Sequence, residues 1–156
     1  MSDKKMVVGC DHGGVELKRE LVDVLTERGW TVEDVGCHTG DSVDYPDYAA
    51  TVARRVAAGE ARLGLLICGT GIGMSMAANR VPGVRAALCG DAFSAEMTRR
   101  HNDANVLCLG ARVVGPGLAA TILAAFLDAP FDGDRHRRRI DKIHALELTG
   151  KTEDEA

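Results

Sequence analysis

Leu63-Gly64-Leu65-Leu66-Ile67-Cys68-Gly69-Thr70-Gly71-Ile72-Gly73 decides the fold: an apolar run of strand length passes directly into a glycine-rich turn, and a helical segment follows. A run with no polar alternation fits a strand covered on both faces, the usual condition of a parallel sheet. Outward from it, four more short apolar runs at Met6–Cys10, Thr31–Val35, Val84–Cys89 and Val106–Leu109 alternate with longer segments of helical period. That alternation is the pattern of repeated βαβ units, so the expected class is α/β with a five-stranded, mostly parallel sheet.

The first helix is predicted over Val15–Arg28, where Leu17, Leu21 and Leu25 share one face with Val22 beside them and Gly29 supplies the stop. A second begins near Pro46, a residue suited to a first helical turn, and runs through Val52 and Val56 to Gly59. A third begins within Gly73–Asn79, a fourth covers Ser94–Arg100, and Pro116-Gly117 leads into a fifth over Leu118–Leu127. Asp128–Asp134 reads as a turn-rich connector, followed by a last helix over Arg137–Leu148 with Ile140, Ile143 and Leu146 on one face. Residues 1–150 read as one domain, and residues 151–156 as an acidic tail expected to fray.

The chain has 156 residues, 46% of them hydrophobic and 27% charged, which suits one soluble core. Nineteen Lys plus Arg against 23 Asp plus Glu leave a formal charge of -4, which argues against a general binder of nucleic acid or anionic membranes. There is no apolar run of the roughly 18 to 20 residues that a spanning helix needs. Met1–Lys5 is polar with no signal-like apolar segment behind it, so a cytoplasmic location is expected. The five cysteines are odd in number, and all but Cys37 lie in or at the end of apolar runs, the usage of reduced, buried thiols. With no CxxC pair and no Cys/His cluster at zinc-ligand spacing, no metal is expected.

Ligands of open α/β sheets bind where the strands end, because loops and helix N-termini converge there. Gly9-Cys10-Asp11-His12-Gly13-Gly14, the Cys68–Gly73 turn, His101-Asn102-Asp103 and Gly110-Ala111-Arg112 are all expected on that one rim. In Gly69-Thr70-Gly71-Ile72-Gly73 the amides can point at an anion or a developing oxyanion, although such a run can also be only a tight turn. It lacks the dinucleotide GxGxxG and the Walker GK[ST], which disfavours NAD and ATP as cofactors. Met74 stands where a cysteine phosphatase would carry its arginine.

Cys68 faces that turn and a helix start, surroundings expected to enrich its thiolate, which can serve as base or nucleophile. Cys10, Cys89 and Cys108 read instead as core. His101, flanked by Arg100, Asn102 and Asp103, is placed like a general acid or base, and His12 like an anion ligand; His38 and His144 carry no assignment. Arg135-His136-Arg137-Arg138-Arg139 concentrates cations at a predicted helix start, where they oppose the helix dipole unless an anion sits among them. Phosphate is the natural guest of guanidinium groups, with Arg112 a further candidate, and no aromatic residues interleave the run as a single-stranded nucleic-acid site would have them.

Taken together, these segments resemble the ribose-5-phosphate isomerase B and galactose-6-phosphate isomerase family. The match also includes Asp44-Tyr45-Pro46, Ala77-Ala78-Asn79-Arg80, Arg99–Val106 and Arg135-His136, in the family's order over about residues 5–148. The resemblance implies a Rossmann-like three-layer α/β/α sandwich with a C-terminal helix. It implies a homodimer, in some members paired into tetramers, with active sites between subunits. It also implies aldose–ketose isomerisation of a sugar phosphate through an enediolate without cofactor or metal.

By the same resemblance Cys68 would be the base, assisted by Thr70 and the amides of Gly69, Gly71, Ile72 and Gly73. His101 would open the furanose ring, with Asp11 nearby, and Asn102 would bind the enediolate oxygen. His12 and Arg112, with Arg135 and Arg139 of a partner chain, would hold the phosphate, while Tyr45 and His136 line the pocket. One branch of the family lacks the cysteine and has Glu at the position of Met74, so this chain resembles the cysteine branch. Ribose 5-phosphate is the expected substrate, with allose 6-phosphate, galactose 6-phosphate and tetrulose 4-phosphates as alternatives. A non-catalytic sugar-phosphate sensor is the other class of reading, for which Cys68 and His101 would have no use.

Overall fold

The computed structural model describes residues 4–149. Five strands, β1 (Lys5–Cys10), β2 (Thr31–Asp34), β3 (Leu63–Cys68), β4 (Ala86–Leu88) and β5 (Val106–Gly110), form one sheet in the order β2-β1-β3-β5-β4. Every pairing is parallel, with Gly9 opposite Leu66 and Cys68 opposite Gly110. Around it lie α1 (Val15–Glu27), α2 (Tyr45–Ala57), α3 (Ile72–Ala78), α4 (Ala92–Asn102), α5 (Pro116–Asp128) and α6 (Arg135–Thr149).

Strand side chains alternate between two cores, as the pleat requires. Met6, Val8, Leu65, Ile67, Leu107 and Leu109 pack with Leu17, Leu21 and Leu25 of α1 and with Ile122, Leu123 and Phe126 of α5. Val7, Leu66, Cys68, Val106 and Cys108 point the other way, onto Val52 and Val56 of α2 and Met74 and Ala78 of α3. This is the three-layer sandwich, and it explains why β3 reads as unbroken apolar sequence: all six of its residues are buried.

The elements differ from the sequence expectations mainly at their ends. β4 is three residues rather than the six of Val84–Cys89, because it is an edge strand paired only with β5. α4 starts two residues early and ends two late, since Asp91 caps it by accepting from the Ser94 amide at 2.7 Å. α6 starts at Arg135, so Arg135 and His136 lie in its first turn. Its expected apolar face is only partly used: Ile140 is 1% exposed, whereas Ile143 is 47% and Leu146 70%. The tail at 151–156 lies outside the described residues.

Candidate active site

The turn after β3 closes on its own cysteine. The Gly71 amide donates to Cys68 Sγ at 3.1 Å, and the Ile72 amide donates to Thr70 Oγ1 at 3.3 Å. Gly71 has φ +77, and a Cβ there would lie 2.8 Å from the Leu109 carbonyl carbon, so only glycine lets the chain turn this tightly. The thiol therefore sits where α3 begins, among amides that are not all consumed by the helix ladder.

Three other segments meet this turn at the carboxyl rim. Asp11 donates its amide to Ile67 O at 3.1 Å, and its Oδ1 accepts from the Gly13 amide at 2.9 Å. Arg112, after β5, donates its amide to Gly69 O at 3.0 Å, and its side chain lies against Gly69. His12 Nδ1 accepts from the Val43 amide at 3.2 Å, which in the neutral ring leaves Nε2 as the N–H. Tyr45, at the start of α2, covers Gly73: a Cβ there would fall 2.4 Å from its Cζ.

That contact gives a first prediction. Gly73→Ala adds helix propensity of about 1 kcal/mol but forces the Tyr45 ring aside, an overpacking cost of about 1 to 3 kcal/mol. The two nearly offset, so we expect a similar melting temperature and a KM raised several-fold, read from thermal melting and steady-state kinetics. An unchanged KM would remove Tyr45 from the pocket.

Three further cysteines lie in the cores. Burial pushes the Cys10 and Cys89 thiols up to about 11, with Lys18 working the opposite way on Cys10, and burial also raises Cys108. All five cysteines are free.

The expectation that His101-Asn102-Asp103 shares this rim is corrected by the structure. α4 starts at the carboxyl rim after β4 and descends for 11 residues, about 16 Å at the helical rise. It ends just before Asn105, whose carbonyl accepts from the Gly64 amide at 2.8 Å at the amino end of β3. His101 and Asn102 therefore occupy the opposite edge of the sheet from Cys68. The αβ connection imposes this: a helix returning antiparallel to its strand must finish where the next strand begins.

A second cluster forms there. The His101 and His136 rings stack with centroids 4.3 Å apart and planes 3° from parallel. Arg100 binds both oxygens of Asp132 at 3.2 and 3.3 Å, and the Asp132 amide donates to Arg100 O at 3.0 Å. Arg135 and Arg139 stand on the same helix as His136. The His136 imidazolium is disfavoured, first by burial and then by His101, Arg135 and Arg139; Asp132 partly offsets them. His101, Asp132 and His136 present ligand atoms within 4.8 Å of one another.

Asp11, His12, Tyr45, Cys68, Thr70, the turn glycines, Ile72 and Arg112 are thus brought together, whereas His101, Asn102, Arg135, His136 and Arg139 form a separate group. Sequence reasoning missed Asp132, whose four-residue spacing to His136 was the available signal. It also missed Lys18, 1% exposed, which donates to Asp34 Oδ1 at 2.7 Å and Cys37 O at 2.6 Å. Lys18 thereby pins the start of the loop whose Val43 amide orients His12, and a lysine on the buried face of an amphipathic helix was its only trace.

Known proteins share this fold. A family model described as Ribose/Galactose Isomerase matches residues 6–143. The chain is 50% identical to ribose-5-phosphate isomerase B of Escherichia coli over 92% of its length and 97% of the relative. It is 44% identical to D-erythrulose-4-phosphate isomerase of Pectobacterium atrosepticum over 88% of its length and 91% of the relative. The structure of Clostridium thermocellum ribose-5-phosphate isomerase B superposes with a TM-score of 0.93 at 51% identity, covering 94% of this chain and 99% of that one. With the family model matching residues 6–143 and nearly the full length of each relative covered at about half identity, this chain belongs to the ribose/galactose isomerase family.

Proposed function

We propose that this enzyme interconverts ribose 5-phosphate and ribulose 5-phosphate in the cytoplasm, at active sites assembled from two copies of the chain. The observation that carries the reading is a thiol base set in an amide-lined turn beside a cation. Cys68 Sγ lies 3.1 Å from the Gly71 amide, in a turn against which the Arg112 side chain packs. An aldose–ketose shift needs a base for the C2 proton and fixed donors for the enediolate oxygen. The distant phosphate supplies orientation.

In this mechanism Cys68 takes the proton from C2 and returns it to C1, while the turn amides and Thr70 stabilise the enediolate. Arg112 and His12 hold the phosphate. Ring opening needs a further acid–base group, because Cys68 is engaged in the proton transfer and His12 in holding the phosphate. A second chain placing His101 opposite Cys68 supplies it, with Asn102 on the enediolate oxygen and Arg135 and Arg139 closing on the phosphate. The 50% identity to the Escherichia coli enzyme supports ribose 5-phosphate as substrate. The 44% identity to D-erythrulose-4-phosphate isomerase supports a tetrulose 4-phosphate as the second reading.

The test is turnover of ribose 5-phosphate by the purified chain with chelator present, beside tetrose and hexose phosphates. Highest kcat/KM on ribose 5-phosphate is expected; a higher value on another phosphosugar would reassign the substrate. Arg139→Ala should raise KM about tenfold, the size of one lost charge-assisted hydrogen bond, with kcat little changed. An unchanged KM would take Arg139 out of the phosphate site.

A further inference from the structure

His101, Asp132 and His136 come from three separate elements: the last turn of α4, the connector before α6, and the first turn of α6. Two imidazoles and one carboxylate, with ligand atoms within 4.8 Å of one another, resemble the three-ligand set of an open zinc site. We propose that these residues bind a divalent transition-metal ion, zinc being the best match, and that its occupancy inhibits the isomerase by engaging the His101 imidazole. The binding half stands alone; the inhibition half rests on the function proposed above.

The donor set selects the ion class. Calcium and magnesium require several oxygen ligands, whereas imidazole favours zinc, copper and nickel. Ligand atoms around one tetrahedral zinc stand roughly 3.3 Å apart, so those here close by rotation of about 1.5 Å or less. The rings must tilt out of their 3° parallel stack, because the in-plane lone pairs of parallel rings do not converge.

Two features oppose the ion and set its strength. Arg100 engages both Asp132 oxygens and must yield or share one. The arginines of α6 repel added positive charge. The expected result is reversible, chelator-sensitive binding in place of a permanent structural centre.

Zinc calorimetry and cobalt absorption on the full chain test this. We expect one ion per chain and visible ligand-field bands without the near-ultraviolet charge transfer of a thiolate. Asp132→Asn and His136→Gln should each weaken binding at least about tenfold. Zinc should suppress ribose 5-phosphate turnover until chelator is added, and Asp132→Asn should keep basal turnover while raising the inhibitory zinc concentration at least about tenfold. No saturable binding, a thiolate band, or undiminished affinity in Asp132→Asn overturns the site. Binding that leaves turnover intact overturns the inhibition. A chain that binds cobalt through Asp132 yet isomerises nothing refutes the proposed function while leaving the metal site standing.

Discussion

Cys68→Ala is expected to fold and to lose turnover by about 10³-fold, within the range that a positioned general base contributes. The substitution removes one sulfur and one accepted hydrogen bond, the Gly71 amide at 3.1 Å, a net loss of about 1 kcal/mol. Cys68 also packs in the core formed with α2 and α3, so the melting temperature should fall by a few degrees while the fold is kept and kcat collapses. KM should change far less, because the phosphate contacts proposed for His12 and Arg112 do not involve the thiol. The same truncation at Cys10 or Cys108 should do the reverse: both are 0% exposed in the core, and their thiols are pushed up by burial. Those variants should lose stability and keep kcat per folded molecule. Substantial residual kcat in Cys68→Ala would reassign the base.

The second large effect is selective. His101→Asn should cut kcat/KM on ribose 5-phosphate by about 10²-fold or more, the contribution of an acid–base group, and spare a tetrose 4-phosphate. Ribose 5-phosphate rests mainly as a furanose and must be opened, whereas a tetrose with phosphate on O4 cannot close that ring. The comparison separates ring opening from proton transfer within one variant. Equal loss on both substrates would refute the ring-opening role. Because His101 also stacks on His136 at 4.3 Å, thermal melting of the variant should be measured alongside.

The sheet was legible because its signals are local. The β3 run, the glycine turn and the Leu17-Leu21-Leu25 stripe each fix an element within a few residues, and burial of all three leucines follows from their four-residue spacing. The three-residue edge strand β4 was less so, since what shortens it is a single neighbour on one side. Composition of the site was legible in the same way, residue by residue. Its placement was not: the rim rule holds for residues that follow strands, and His101 precedes one. Residues at the end of α4 inherit the opposite edge from the length of the helix, a quantity the local motif does not contain. The Lys18 anchor and the Asp132 carboxylate were hidden for a related reason, because their partners lie 16 or more residues away or on another element.

The central claim is that Cys68 of one chain works with His101 of another, and subunit mixing tests it most directly. Cys68→Ala and His101→Asn chains, each nearly inactive on ribose 5-phosphate alone, are unfolded or dissociated together and reassembled. A mixed dimer then holds one site with both lesions and one with neither. Random pairing makes half the dimers mixed, so recovery of about a quarter of native activity is the predicted result. No recovery, with mixed dimers verified by differential tagging, would place both residues in a site within one chain and contradict the account.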